Sequence, residues 1–331
     1  MENTVLDRRA IRKSERAAEK ASEREQARVR SHRKKSAGNR AFDIVNAIFW
    51  VVVMFCTLYP LYLVVIASIS DPDAILRGEV IWHPVNVSLV GYQAIFRYKE
   101  MLHSYLNSII YTGVSVSLSI AVTMLAAYVL SRPKFRGKAI FNLFFVFTMF
   151  FNGGLIPTFL VMKDIGLYNT PWIIILMGCV SVWNLMVART FIQSSIPNEL
   201  YEASMLDGAT HFQYFTRVVV PLSKTIMAVL AVYYGVARWN DYFTGLVYLR
   251  DRNLYPLQTV LREILATLQV DQTGDYMQSL ADNSSSLQEA LRIANVAKYC
   301  IIVVATGPIV VLYAVMQKYF EKGVMIGSLK G

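Results

Sequence analysis

Six long apolar runs constrain this chain more than any other feature: roughly residues 44–68, 107–131, 140–162, 171–191, 224–249 and 297–317. A helix crosses the hydrocarbon core with about 20 mainly apolar residues, so each run is long enough to span. Any one of them could be a buried core helix, but six in one chain could not all be enclosed by the polar surface that is left. Only 17% of the 331 residues are charged and 55% are hydrophobic, against about 25% charged in a soluble domain. The charge is also uneven: residues 1–43 hold 20 of the 56 charged side chains. This pattern excludes a soluble enzyme, a disordered protein and a disulfide-stapled secreted domain. Cys56, Cys179 and Cys300 all fall within apolar runs and read as small buried hydrophobes. The expected class is an all-α membrane protein with six transmembrane helices.

The third run contains Asn152, Gly153, Gly154 and Pro157, interruptions that a span tolerates where neighbours or a cavity satisfy the backbone. Orientation follows from the basic residues. With the N-terminus inside, the tail, residues 132–138 (Arg132, Lys134, Arg136, Lys138), residues 189–224 and the C-terminal tail carry most of the 33 Lys and Arg. Both termini are therefore expected in the cytoplasm. The chain divides into a basic tail (1–43), a membrane domain (44–320) with an external segment at 250–296, and a short, flexible cytoplasmic tail (321–331). The net charge of +10 sits beside membrane-length runs and reads as an orientation and lipid-surface signal, not a nucleic-acid site.

Between the fourth and fifth runs lies a segment, residues 195–222, with a different character. Pro197 suits the first turn of a helix, with Ser195 near its cap. Glu199 and Glu202 fall near its positive end. Leu200, Ala203 and Asp207 share one helical face, and Gly208 can end the helix in a left-handed conformation. A second helical turn begins at once, with Phe212 and Phe215 three residues apart, and Pro221 marks entry to the fifth run. A helix–Gly–helix hairpin with an apolar face on the cytoplasmic side is built to dock into another protein's groove.

This segment resembles the EAA loop of ABC-importer permease subunits, E-A-A, three residues, G, nine residues, I-x-L-P. Here it reads Glu202-Ala203-Ser204, three residues, Gly208, nine residues, Val218-x-Val220-Pro221. Ser for Ala and Val for Ile and Leu keep size and polarity. Asp207-Gly208-Ala209, Trp239-Asn240-Asp241-Tyr242 and the ending Gln317 to Gly331 resemble the carbohydrate-uptake, maltose-type branch. The stretch Asn152 to Pro157 resembles the subgroup handling polysaccharide-derived oligosaccharides. The resemblance covers about residues 40–331. It implies a type I (MetI-like) permease fold in the plasma membrane of a prokaryote. It also implies a second permease subunit, two ATPase subunits and an extracellular solute-binding protein as partners, with an oligosaccharide as cargo. Glu202, Ala203, Asp207, Gly208, Phe212, Phe215 and Pro221 would then couple the chain to the ATPase. Glu202 would pair with a basic groove residue, and Phe212 and Phe215 would fill apolar pockets. No G-x-x-x-x-G-K-[ST] occurs, so the chain is expected to be non-catalytic and without a cofactor, with ATP and Mg held by the partner ATPase.

Substrate-path residues are sought among polar side chains inside spans. Tyr234, Arg238 and Asp241 follow one helical face of the fifth run. Trp239 and Asn240 are adjacent, Trp183 and Asn184 lie in the fourth run, and Asn152 in the third. An Arg238–Asp241 structural pair near the outer interface explains the same charges equally well, and both readings stand. In the external segment, Leu257, Val260, Leu261, Ile264, Leu265 and Leu268 repeat at helical spacing. The Gly- and Ser-rich stretch 270–286 reads as a loop, and by resemblance as a contact for the binding protein. His32, His83, His103 and His211 have no metal-ligand spacing. Of the competing classes, a membrane-embedded glycan-processing enzyme requires a polar catalytic cluster, and none is visible, whereas an ion-coupled secondary transporter requires internal repeats and charged relays, for which only the Arg238 region qualifies.

Overall fold

The computed structural model describes residues 37–97, 99–273 and 285–328, and among them every regular element is helical. Three helices are long and apolar enough to cross a membrane by themselves, over Ala41–Ser68, Glu100–Ser131 and Asn295–Gln317. They lie in α1 (Ala37–Ser68), α4 (Lys99–Ser131) and α15 (Ser285–Ser328). Two further candidates are bent pairs. Helices α5 (Lys138–Phe150) and α6 (Leu155–Asp164) meet at 116°, and His211–Leu222 meets α12 (Lys224–Trp239) at 78°.

Of the six expected spans, the other three runs are broken into shorter helices. The third run bends where the sequence places Asn152, Gly153 and Gly154, and Gly154 takes a positive φ of 87°. The fourth run is two helices, α7 (Pro171–Leu176) and α8 (Val182–Ser195). Between them Gly178 adopts φ +70°, and Ser181 caps α8 by accepting the N–H of Asn184 at 3.4 Å. The fifth run stops at Trp239, and a short α13 (Phe243–Tyr248) follows. Apolarity set the expected limits, whereas glycine and side-chain capping set the real ones.

Two compact units divide at residue 62. In the first, α1 up to Tyr62 presents Phe42, Ile44, Ile48, Trp50, Val51 and Phe55 as exposed side chains. A bare apolar surface of this length suits hydrocarbon or a partner, not water. In the second, α4 is the central post, packing against α8, α12 and α14 (Leu257–Thr273). The sequence reason is a stripe of small polar residues along it: Ser104, Ser108, Ser115, Ser119 and Thr123, all buried. Small residues let helices approach closely and give them hydroxyls to share. Ser108 Oγ accepts the N–H of Leu257 at 2.7 Å, and Ser115 Oγ donates to the carbonyl of Ile175 at 3.0 Å.

The largest cluster joins Met124, Ala127 and Tyr128 of α4 to Leu185 and Ile192 of α8, to Tyr214 and Phe215, and to Leu230 of α12. A second joins Met101, Trp239, Leu257, Leu261, Val296 and Cys300. Leu257, Val260, Leu261 and Ile264 are buried on one face of α14, as their spacing predicts. The remainder of the expected external segment differs. Residues 285–296 are the start of α15, and residues 274–284 lie outside the described residues. Helix α15 also continues to Ser328, which replaces the expected flexible tail from 321 with helix over most of its length.

Candidate functional site

Two sites lie at different levels of α4. The first is the hairpin between α8 and α12. Helix α9 (Asn198–Leu206) starts after Pro197 and ends before Gly208, whose φ is +78°. The start differs from expectation, since Pro197 occupies the cap position without a side-chain bond, and Ser195 is the last residue of α8. A one-turn helix, α10 (His211–Tyr214), begins with a capping box. Thr210 Oγ1 accepts the N–H of Gln213 at 3.2 Å, and Gln213 Oε1 accepts the N–H of Thr210 at 2.8 Å. Residues Phe215–Val219 then widen to a π-helical turn, and α11 (Val220–Leu222) leads through Ser223 into α12.

The hairpin has two unlike faces. Its inner face is fixed: Tyr201 meets Tyr214 edge-on at 5.3 Å, and Tyr128 of α4 lies 5.3 Å from Phe215. Its outer face is bare. Leu206 is 89% exposed and Phe212 69%, with Leu200, Glu202, Ala203, Asp207 and Pro221 also outward. Phe215, grouped by sequence with Phe212, is only 8% exposed. It belongs to the chain's own core and not to the surface that a partner could touch. The three-residue spacing put the two rings near each other, but the second packs inward against Tyr128 of α4.

The second site lies where α7, α8, α12 and α13 break. Arg238 is held at all three guanidinium nitrogens. Nη1 donates to Asp241 Oδ2 at 3.1 Å, Nε to Ser115 Oγ at 3.2 Å, and Nη2 to the carbonyl of Met177. Asp241 Oδ1 in turn accepts the N–H of Thr244 at 3.0 Å, at the start of α13. The Tyr234 hydroxyl shares a hydrogen with Thr123 Oγ1 at 2.7 Å and accepts the N–H of Ser181 at 3.2 Å. These bonds satisfy backbone groups that the helix breaks expose.

Around them is a cavity of about 340 Å³ bordered by Ser115, Met177, Gly178, Tyr234, Ala237, Arg238, Asp241 and Thr244. Three of the eight expected substrate-path residues therefore meet here. The other five do not border it. Trp239 is buried with its indole N–H on the carbonyl of Ala305 at 2.8 Å. Asn184 is buried in α8, Trp183 is exposed, Asn240 donates to Val236 of its own helix, and Asn152 accepts from Gly154 in the bend of α5 and α6. Sequence reasoning missed Ser115, Met177, Gly178 and Thr244. The Ser/Thr spacing on α4 and the glycine inside the fourth run were the available signals.

A helical chain with apolar faces turned outward, broken helices around a cavity bordered by polar side chains and a bare hairpin defines a membrane transport subunit. Comparisons with known proteins give the particular family. Residues 27–326 match the binding-protein-dependent transport system inner membrane component. The chain is 34% identical over 292 residues to Protein LplC of Bacillus subtilis (strain 168), covering 88% of this chain and 96% of that protein. It is 34% identical over 293 residues to the polygalacturonan/rhamnogalacturonan transport system permease protein YtcP of the same strain, covering 88% and 99%. Among solved structures it matches a bacterial ABC transporter involved in the import of the acidic polysaccharide alginate. There the TM-score is 0.74 at 34% identity, covering 86% of this chain and 98% of that one. The chain belongs to the binding-protein-dependent permease family: it is a non-catalytic ABC-transporter permease subunit of a bacterial membrane.

Proposed function

We propose that this chain forms half of the translocation path of an ATP-driven importer for acidic oligosaccharides. A second permease completes the path, two ATPase subunits bind the hairpin side, and a solute-binding protein delivers cargo on the other. The observation that carries this reading is the two-faced hairpin 198–222, anchored by Tyr201, Tyr214 and Phe215 and bare at Leu206 and Phe212. An ATPase can drive a permease only by binding its two conformations unequally. A hairpin welded to α4 and α12 passes a push at its tip directly to the helices around the central cavity. ATP and Mg belong to the ATPase, and both termini of this chain lie on its side of the membrane, with the two bent pairs and the broken fourth run adding three crossings to the three unbroken ones. The acidic cargo is supported by the names of the relatives, which include carriers of alginate and of polygalacturonan. Arg238, with every nitrogen engaged inside the chain, holds the helix breaks in place and is not the group that reads the acid. Exposed polar groups such as Trp183 and Asn240 are left for the sugar.

The test is Glu202→Lys and Gly208→Pro in the assembled importer. Both variants should insert and assemble yet abolish uptake and cargo-stimulated ATP hydrolysis. Full uptake by both would refute the coupling role.

A further inference from the structure

Between the hairpin and the end of α4 is a second cavity of about 670 Å³. One wall is the end of α4 and the turn that follows, with Arg132, Lys134 and Arg136. The other is formed by α9 and α10, with Tyr201, Glu202 and His211. Arg132 is 9% exposed. Its Nε and Nη2 reach only the hydroxyl of Ser131, both at 3.3 Å, and Nη1 has no hydrogen-bond partner. Its charge rests on ring faces, with Tyr128, Tyr201 and Tyr214 at 4.9, 5.2 and 5.6 Å. Among the described residues no carboxylate pairs with Arg132, Lys134 or Arg136. Lys138 adds to the excess, within electrostatic reach of both Arg132 and Arg189. Glu202 is the one carboxylate on the cavity's border, against three cations.

A buried cation without a counter-ion is costly, and here a walled space adjoins it. The position says what would fill that space. Ser131 ends the span Glu100–Ser131, so the cavity opens where hydrocarbon gives way to headgroups. Val129, Pro133 and Phe135 supply an apolar side next to the basic one. Basic pockets at helix ends on the cytoplasmic side recognise phosphate-bearing lipid headgroups.

We propose that this cavity binds the headgroup of an anionic phospholipid, with its phosphate against Lys134 and Arg136 in the field of Arg132 and its chains along the apolar side. Because Tyr201, Glu202 and His211 form the far wall, the bound lipid braces the root of the hairpin. That consequence, though not the binding itself, rests on the coupling role proposed above.

The whole importer, purified with its partner permease and ATPases, is the material for the test. Phosphatidylglycerol retained on it is counted by native mass spectrometry. Lys134→Ala with Arg136→Ala should weaken retention by about fivefold per cation, about 25-fold together. Lys134→Arg with Arg136→Lys, which keeps the charge, should retain the lipid. Equal retention by the double alanine variant would overturn the proposal. A competition arm separates sources: free glycerol phosphate at matched concentration should fail to displace the lipid. Displacement on equal terms would assign the site to a soluble phosphate ester and overturn the lipid reading. ATP hydrolysis by the wild-type importer should be higher in phosphatidylcholine–phosphatidylglycerol nanodiscs than in phosphatidylcholine alone, and the double alanine variant should lose that difference. The coupling reading fails separately, if Phe212→Ser leaves stimulated hydrolysis intact while lipid retention is unchanged.

Discussion

Tyr234 of α12 and Thr123 of α4 meet hydroxyl to hydroxyl at 2.7 Å, and the tyrosine oxygen also accepts the backbone N–H of Ser181 at 3.2 Å. One phenol thus joins the central post, the fifth run and the broken fourth run. It does so beside the cavity that Tyr234 itself borders.

Tyr234→Phe should therefore cost about 1–3 kcal/mol, because it strands a buried hydroxyl and the N–H at the start of α8. The purified importer should show a lower apparent unfolding temperature. Adding Thr123→Val removes one of the two stranded groups and should recover part of the loss. An unchanged unfolding temperature in the single variant would mean that the three-way bond holds nothing.

Arg238 separates a structural role from cargo recognition. Removing it leaves Asp241 Oδ2 and the carbonyl of Met177 without their donors, a loss of about 1–3 kcal/mol for stranded, largely buried acceptors. Lys is a point donor and cannot serve Asp241, Ser115 and Met177 together. Arg238→Lys should thus rescue poorly. Since no guanidinium nitrogen is free, Arg238→Gln should reduce uptake of acidic and neutral oligosaccharides alike. Selective loss of acidic cargo in an uptake assay would make Arg238 a substrate contact instead.

Phe212 and Phe215 provide a paired test of the hairpin. Phe212→Ser alters only the bare face and should leave folding unchanged while lowering cargo-stimulated ATP hydrolysis at least tenfold, about 1.4 kcal/mol of lost docking energy. Phe215→Ala opens a hole beside Tyr128 and should destabilise the subunit by about 3–5 kcal/mol. Yield of assembled complex and hydrolysis per complex distinguish the two. Equal behaviour in both assays would erase the difference between the faces.

That contrast also marks how far the sequence could be read. Hydropathy located α1, α4 and α15, because a helix in lipid must be apolar over a fixed length, and spacing placed Leu257, Val260, Leu261 and Ile264 on one buried face. The left-handed Gly208 followed from its position after a short helix. The breaks were harder. Hydropathy averages over windows longer than the five residues from Met177 to Ser181, so Gly178 and the Ser181 cap disappeared inside an apolar run. Tyr234, Arg238 and Asp241 were found because charge inside a span is rare, whereas Ser115 and Thr244 are small and look ordinary until another helix lies against them. The burial of Phe215 had no sequence signal, since it depends on Tyr128 of α4 lying against it.

Gly245 yields the sharpest packing prediction. A Cβ placed there would stand 2.2 Å from Thr259 Oγ1 and 3.1 and 3.2 Å from the ring of Pro256. Thr259 cannot simply swing away, because its Oγ1 donates to the carbonyl of Tyr242 at 3.1 Å and ties α14 to the turn before α13. The proline ring is rigid. Gly245→Ala should then cost about 1–3 kcal/mol, as overpacked sites do, and Thr259→Ala added to it should relieve only the contact with Oγ1. Gly208→Ala has the opposite character. Nothing stands within 4 Å of its Cβ position, so its cost is backbone strain at φ +78°, about 1–2 kcal/mol confined to the hairpin. The first substitution should lower the unfolding temperature of the complex. The second should lower that temperature less and weaken cargo-stimulated ATP hydrolysis. If Gly245→Ala melts like the wild type, the close approach of α13 to α14 is looser than these distances require.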